Sequence, residues 1–583
     1  MITRAKAAPV QSRSTDLWES ALLRPTSPTA HDPRDRPRFD TYVWADNSGI
    51  DFSGRVTCTD RRSTMPTTDR SHALDHVVAL MFENRSFDNL LGQLYEPGEV
   101  ASFEGVLGRE LSNPIPDWAE DRSGRQAMPF GVADTMDTPN PDPGEEYQHV
   151  NTQLFGVIDP DGNRGVLAEH MAAPFNAPPP GRTPTMDGFV ADYISAFWAE
   201  MGRQPKFQEY AQIMAGYTPD QLPVTSTLAR GFGTFDHWFA EVPSQTFTNR
   251  SFFHAASSSG FVVNAPYSTF PLENTAETVF ERLEAQGLAW RVYVDAPSPI
   301  PFTGLIHGPR LRERFATHFV TTDRFLEDAA AGTLPTYSFI EPNLWHGHND
   351  MHPPESALLQ GIPFDAPSSL LGGEALLDKI YNAVRSSTSS NGSNAFNTLL
   401  MVVFDEHGGT YDHVPPPAAV PPAPGAQPGQ MGFTFDRLGV RLPAIAISAW
   451  VPAQTVVNGV HHHTSVIRTL RERWNLGSPL TSRDADAPDL AAVLSLDRPR
   501  DPQDWPDVAA QPVPEFNQAM VPPEAPLNPL ATAMFHGYLA LVEQLGATVP
   551  AIGDEARLKG REAMEIVHET AHTLFPGLRP STS

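Results

Sequence analysis

Two unbroken apolar runs frame the chain: His76-Val77-Val78-Ala79-Leu80-Met81-Phe82 and Leu399-Leu400-Met401-Val402-Val403-Phe404. Short continuous runs rich in β-branched residues predict strands buried on both faces. Each stops abruptly at acids. The first gives way to Glu83-Asn84-Arg85-Ser86-Phe87-Asp88, the second to Asp405-Glu406-His407-Gly408-Gly409. Further strands are predicted at 289–294, at 336–340 ahead of Glu341, and at 444–448. Helical spacing covers 186–200, 205–215, 310–319 and 373–386, and another element starts at 222–230. His463-Thr464-Ser465 reads as the cap of a helix reaching Trp474. This alternation predicts an α/β fold, a mostly parallel central sheet flanked by helices on both faces. In such sheets ligands sit at the carboxyl ends of the strands, where both acidic segments fall. A carboxylate pair there is costly unless something positive meets it.

The chain ends are less regular. Residues 1–72 predict a loosely structured extension with a short strand at 40–44. Residues 73–480 form the α/β domain. A Pro-rich segment and a helical tail follow over 481–583, with helices at 528–547 and 553–574. A Pro-, Asp- and Gly-rich stretch over 112–185, centred on Pro139-Asn140-Pro141-Asp142-Pro143-Gly144, predicts a long loop packed over the site. There is no internal repeat. The 583 residues carry 41 basic and 69 acidic side chains, a formal net charge of −28. That argues against nonspecific binding to nucleic acid or an anionic membrane. Lysine occurs only at Lys6, Lys206, Lys379 and Lys559, away from the motifs, so Schiff-base chemistry is not expected. Cys58 is the single cysteine and allows no intrachain disulfide. Neither the basic start nor Arg61-Arg62 is followed by an apolar stretch, and no run approaches the ~20 residues of a membrane span. The expectation is a cytoplasmic protein without a transmembrane segment, its oligomeric state open.

The acidic strand ends suggest one split metal site. Glu83, Asn84, Asp405 and Glu406 are hard oxygen ligands, suited to Ca²⁺, Mg²⁺ or Mn²⁺ over zinc. The same residues could instead cap helices or pair with Arg85 and Arg250. In Val242-Pro243-Ser244-Gln245-Thr246-Phe247-Thr248-Asn249-Arg250, hydroxyls gather ahead of an apparent helix start. A hydroxyl there can become a nucleophile once a metal or base lowers its pKa, although Thr and Ser are also ordinary caps. The loop from Glu341 to Pro354 holds His346, His348 and His352 with two acids, a pattern for a general acid or phosphate ligand, or for a solvated loop. His461-His462-His463 is read as structural.

Together these segments resemble the bacterial phosphoesterase family of phosphatidylcholine-type phospholipases C and the respiratory-burst-inhibiting acid phosphatase, within the alkaline phosphatase-like superfamily. The matching residues are Glu83 to Asp88, Thr246 to Arg250, Asp350-Met351-His352-Pro353, Asp405 to Gly409 with Asp412-His413-Val414, Gly439 to Pro443 and His463-Thr464-Ser465. The resemblance spans about 76–476. It implies an alkaline phosphatase-like fold and a divalent metal held by Glu83, Asn84, Asp405 and Glu406. It implies Thr246 as nucleophile and further ligand, with Asn249 of the same motif in the catalytic set. His352 would meet the phosphate and leaving group, with His307 or His318 as weaker matches. Thr248 stands where the family usually has Pro, and is expected to be a surface or capping residue. Glu145, in Asp142-Pro143-Gly144-Glu145, stands where the family often has histidine, with His149 as a substitute nearby.

The implied function is metal-dependent hydrolysis of a phosphoric ester through a phosphothreonine intermediate. The substrate would be a phospholipid, as for a phospholipase C, or a soluble phosphomonoester, as for an acid phosphatase. A metal-binding scaffold without turnover is the reading from another class, supported only by the two departures. A mutase would need a second metal cluster rich in Asp and His, which the sequence does not assemble.

Overall fold

The computed structural model describes residues 70–514 and 529–546, with breaks at 180, 297, 299, 345–347, 355–357, 360–361 and 364–369, and parts of 566–578. The expected strand at 40–44, Cys58, His346 and most of the expected helix at 553–574 lie outside the described residues. The described part falls in one compact unit that begins at Thr67.

Its centre is an eight-stranded sheet. The strands are β1 (His76–Phe82), β2 (Gly233–Phe235), β3 (Trp290–Val294), β4 (Phe319–Thr321), β5 (Tyr337–Glu341), β6 (Thr398–Phe404), β7 (Ala444–Ile447) and β8 (Thr455–Val457). Their order is β8-β2-β7-β6-β1-β5-β3-β4. Every pairing is parallel except those of β7 with β6 and β2. No α-helix lies between Phe404 and Arg441, only a short turn at Gln430–Gly432, so the chain returns antiparallel without a helical crossover. β1 and β6 are buried almost throughout and pair from His76↔Thr398 to Phe82↔Phe404. This register delivers Glu83 and Asp405 side by side at the carboxyl edge. The fold is the expected α/β class with a mostly parallel sheet.

The helices that matter for the site are α1 (Tyr147–Phe155), α2 (Phe189–Met201), α3 (Pro223–Gly231), α4 (Thr246–Ala255), α5 (Leu370–Arg385), α6 (Thr464–Trp474) and α7 (Pro529–Gln544). α1 lies inside the stretch expected to be a long loop. All nine of its residues are buried, so it has no polar face and leaves no helical period to read. The expected helix at 186–200 begins only at Phe189, because Met186 holds a left-handed φ of 58°. The expected helix at 205–215 shrinks to Phe207–Ala211 plus a single turn. That at 310–319 breaks into Gly308–Leu311 and Phe315–His318, and Phe319 is taken by the edge strand β4. His461–His462 form a short strand in a small sheet with Trp238–Phe239 and Arg441–Leu442. Trp505, beyond residue 480, packs edge-on against Phe232 with ring centroids 5.1 Å apart. Among the described residues no helix is long and apolar enough to cross a membrane.

Candidate active site

Thr246 is the first residue of α4, behind an extended Gln245. Its hydroxyl donates to Glu83 Oε2 at 3.4 Å. Four residues on, and so on the same helix face, Arg250 reaches the same acids. Its Nη2 pairs with Glu83 and its Nε donates to Asp405 Oδ2 at 3.2 Å. The guanidinium lies over the Phe302 ring at 5.1 Å. Thr248 differs from its expectation. It is buried rather than at the surface, and its hydroxyl donates to the Phe261 carbonyl at 3.5 Å. The segment is helical, so residues 246 and 248 point about 200° apart. Asn249 sits behind the hydroxyl rather than beside it. Its Oδ1 accepts from Val242 N at 3.0 Å, and its Nδ2 donates to the carbonyls of Val242, Ser244 and Gln245. The amide clips the loop that presents Thr246 and has no part at a reacting atom.

The acids close around this helix start. Asn84 takes a left-handed φ of 52°, turning the chain off β1. Its N–H donates to Asp405 Oδ1 at 3.3 Å and its Nδ2 to Glu145 Oε2 at 2.6 Å. Asp405 Oδ1 also accepts from Glu406 N at 2.7 Å, and Glu406 Oε2 accepts from Gly408 N at 2.8 Å. Gly408 has a φ of 56°, and a Cβ there would stand 2.4 Å from the Asn84 carbonyl, so only glycine lets the two turns meet. The structure therefore brings Glu83, Asn84, Thr246, Asp405 and Glu406 together. It does not draw the carboxylates of Glu83, Asp405 and Glu406 to one point, because the Arg250 guanidinium bridges Glu83 and Asp405. Burial pushes the Glu83 carboxyl well above its ordinary range; Arg250 opposes the shift and Asp405 adds to it. Burial, reinforced by Asp405, raises Glu406 to about 8.

Three buried polar atoms here have no hydrogen-bond partner among the described residues: Asn84 Oδ1, Glu406 Oε1 and Arg250 Nη1. Leaving a buried acceptor unmade costs about 1–3 kcal/mol. Two orphaned oxygens beside a threonine hydroxyl and further carboxylates fit a hard divalent cation.

The histidines separate clearly. His352 joins the cluster: its Nε2 is 3.9 Å from Glu145 Oε2 and its Nδ1 3.9 Å from Asp142 Oδ1. Burial lowers its pKa, against the pull of Asp350. Asp350 accepts from His352 N at 3.0 Å and gives its carbonyl to Glu83 N at 2.8 Å. His307 is not brought to Thr246. It packs edge-on against His254, at the far end of α4, and burial holds its pKa down to about 3. His318 stacks on Trp290 at 4.2 Å, by the edge strands. His149 does not take the place of the missing histidine; its Nδ1 faces Asp192 at 2.8 Å behind the 142–145 loop. His463 holds the Asp405 carbonyl through Nε2 at 2.7 Å, and its side chain caps nothing. The first turn of α6 is capped by Glu241, which accepts from Thr464 N at 2.6 Å. Glu341 likewise accepts from the amides of Phe302 and Thr303, a structural cap.

Among the described residues, two groups of His and carboxylate place donor atoms within 4.8 Å of one another: Asp88-Asp412-His413 and Asp142-Glu145-His352. The first already holds a cation. Arg441 donates Nη2 to Asp88 at 2.7 Å and Nε to both oxygens of Asp412 at 3.1 and 3.2 Å. Sequence reasoning named Arg250 only as an alternative ion-pair partner of the acids, a pairing the structure shows, and missed Glu145 as a member of the site. Arg250 was signalled by its i+4 spacing from Thr246, Glu145 only by its departure from the family pattern.

The family model described as the phosphoesterase family matches residues 74–477. The chain is 32% identical to non-specific phospholipase C3 of Arabidopsis thaliana over 445 residues, covering 73% of this chain and 74% of that protein. It is 26% identical to phospholipase C A of Mycobacterium tuberculosis over 459 residues, covering 73% and 78%. Among solved structures, the phosphonate monoester hydrolase of Agrobacterium radiobacter aligns with a TM-score of 0.27 at 11% identity, covering 47% of this chain and 72% of that one. That overlap is too low to bear on the site. With the family match spanning the sheet, Thr246 and both acidic turns, the chain belongs to the phosphoesterase family and is a hydrolase of phosphoric esters.

Proposed function

We propose that the chain is a cation-dependent phosphodiesterase of the phospholipase C type, in which Thr246 carries the phosphoryl group transiently. One observation supports it above the others: the Thr246 hydroxyl rests on Glu83 beside two orphaned acceptors, Asn84 Oδ1 and Glu406 Oε1. A divalent cation held by Glu83, Asn84, Thr246, Asp405 and Glu406 would neutralise phosphate charge and lower the pKa of the hydroxyl. Glu83 Oε2, which already accepts from the Thr246 hydroxyl, takes its proton. Thr246 Oγ1 then attacks phosphorus, the bond from phosphorus to the leaving oxygen breaks, and that oxygen departs as the alcohol with the proton released from Thr246. Arg250 Nη1, unpartnered at the same face, takes a phosphoryl oxygen. His352 meets the leaving side. Water attacks the threonine ester, regenerating the hydroxyl and releasing a phosphomonoester. Asn249 holds the 242–245 loop so that the nucleophile stays aligned.

A diester is favoured over a monoester by charge. Glu145 adds a carboxylate beside Asn84 and Glu406, and a monoester dianion meets more repulsion there than a diester monoanion. The plant and mycobacterial relatives are named as phospholipases C. The test is a side-by-side assay of a choline phosphodiester and an aryl phosphate, with and without chelator. The expected outcome is faster cleavage of the diester, lost with chelator and restored by a divalent cation. Full turnover in metal-free protein, or preference for the monoester, would overturn the reading.

A further inference from the structure

We infer that the cleft holds a second divalent cation, liganded by Asp142, Glu145 and Nε2 of His352; this rests on the cation-dependent reading above and adds a ligand set to it. The donor atoms of the three residues already lie within 4.8 Å of one another. Hard cations bind oxygen at about 2.0–2.6 Å, so ligands across one ion stand roughly 3–5 Å apart.

The histidine is prepared for this role. His352 Nδ1 lies 2.7 Å from the Pro353 carbonyl. A carbonyl only accepts, so Nδ1 carries the proton and Nε2 presents its lone pair. That lone pair is on the side of Glu145, 3.9 Å from Oε2. A ring whose far nitrogen is fixed by a backbone carbonyl is the usual arrangement of a metal-ligating histidine.

Glu145 is the shared wall of the two ligand sets. Its Oε2 accepts from Asn84 Nδ2 at 2.6 Å, and its carboxyl contacts that of Glu406. The other oxygens of those two partners, Asn84 Oδ1 and Glu406 Oε1, are buried acceptors without partners among the described residues. The loop bearing Glu145 is anchored. Gln153 Nε2 donates to the Gly144 carbonyl at 2.7 Å, and Gln153 Oε1 accepts from His407 Nε2 at 2.7 Å. Gly409, with a φ of 64°, lets Pro143 and the Gly144 carbonyl approach where a Cβ would stand 2.6 and 2.7 Å away.

Charge gives the same answer. Glu83 and Asp405 pair with the Arg250 guanidinium, Asp142 and Asp350 lie in the field of Arg85, and Glu406 and Glu145 add two further carboxylates. One divalent cation leaves the cleft negative, exactly where an anionic phosphoester must enter. A second brings it to balance. With that cation bound, His352 serves as a ligand, and the departure from histidine at Glu145 becomes the exchange of one ligand type for another. By contrast, Asp88-Asp412-His413 gains nothing from a cation, because Arg441 occupies it.

The test uses the full chain, stripped by chelator and titrated with Mn²⁺, with bound metal counted and its spin coupling read by electron paramagnetic resonance. The expected result is two Mn²⁺ per chain with exchange coupling, as for ions about 3.5–4 Å apart. Glu145→Gln should bind one, uncoupled, and Glu145→His tests whether a ligand at that position restores the second. One Mn²⁺ in the wild-type protein, kept by Glu145→Gln and lost by Asp405→Asn, would overturn the second site and leave the one-cation reading intact. Two uncoupled ions would also overturn it. No bound Mn²⁺ would overturn both.

Discussion

Two acidic clusters hang from the same pair of strands, β1 and β6. Glu83 and Asp405 leave the strand ends directly; Asp88 and Asp412 follow five and seven residues later. Both clusters are buried, and both include an arginine from a distant part of the chain. In the Asp88 cluster every nitrogen of Arg441 has an acceptor, since Nη1 also donates to the carbonyls of Glu104 and Asp236 at 2.8 Å. Its guanidinium lies 4.3 Å over the Phe87 ring, and His413 Nδ1 closes on Asp88 at 2.6 Å. In the Glu83 cluster Arg250 Nη1, Asn84 Oδ1 and Glu406 Oε1 remain without partners among the described residues. Native proteins rarely leave buried polar groups unmade, and those that stay so need a reason. The closed cluster fastens two turns to each other. On the function proposed above, the open one is built around a ligand.

The sharpest way to break this comparison is at the hydroxyl. Thr246→Val keeps the shape of the side chain and is expected to lower turnover by about 10³-fold or more, with an unchanged melting temperature. Thr248→Val, removing a hydroxyl turned to the Phe261 carbonyl, should stay within a few-fold of wild type in kcat. Equal losses in the two variants would erase the distinction drawn from the helix geometry.

Next come the acids, one from each cluster. Asp405→Asn is expected to lose both bound cation and activity while remaining folded. Asp412→Asn should retain cation stoichiometry and instead lose about 3 kcal/mol of stability, because Arg441 is left with a buried, half-answered charge. Elemental analysis and denaturant unfolding of both proteins check this. An exchange of the two phenotypes would mean that the closed cluster is the metal site.

Asn249→Ala tests positioning. With the 242–245 loop released, kcat should fall about 10- to 100-fold while KM changes little. An unchanged kcat would show that the loop needs no clip.

The smallest effect concerns pH. His149 lies behind the Glu145 loop. Burial lowers its pKa, but Asp192 at 2.8 Å more than reverses this and raises it to about 9. A raised folded-state pKa contributes stability that is complete below the unfolded value of about 6.5 and is lost as pH rises through about 9. Wild type should lose a few degrees of melting temperature between pH 7 and 10 beyond any loss in His149→Gln. Parallel curves would dismiss the pair.

Much of this was legible in the chain. β1 and β6 announce themselves as unbroken apolar runs, and their acidic ends follow from the position of ligand sites in parallel sheets. The orientation of β7 was not legible, because strand patterns carry no direction. Nor was α1, since a helix buried on all sides has no period. Spacing alone could not separate Thr246 from Thr248; the helix that begins at Thr246 turns them about 200° apart. Glu145 looked like a loss, because its value lies in Asn84, Glu406 and His352, residues 61 to 261 positions distant. His307 shows the reverse: a histidine of the right type, held by packing at the wrong end of α4.

The most direct test is to quench a reaction with a choline phosphodiester in acid and map the modified peptide by mass spectrometry. The expected result is phosphocholine esterified to Thr246 in the wild-type protein and absent from Thr246→Val. Modification at Thr248 or at another residue, or none during rapid turnover, would contradict it.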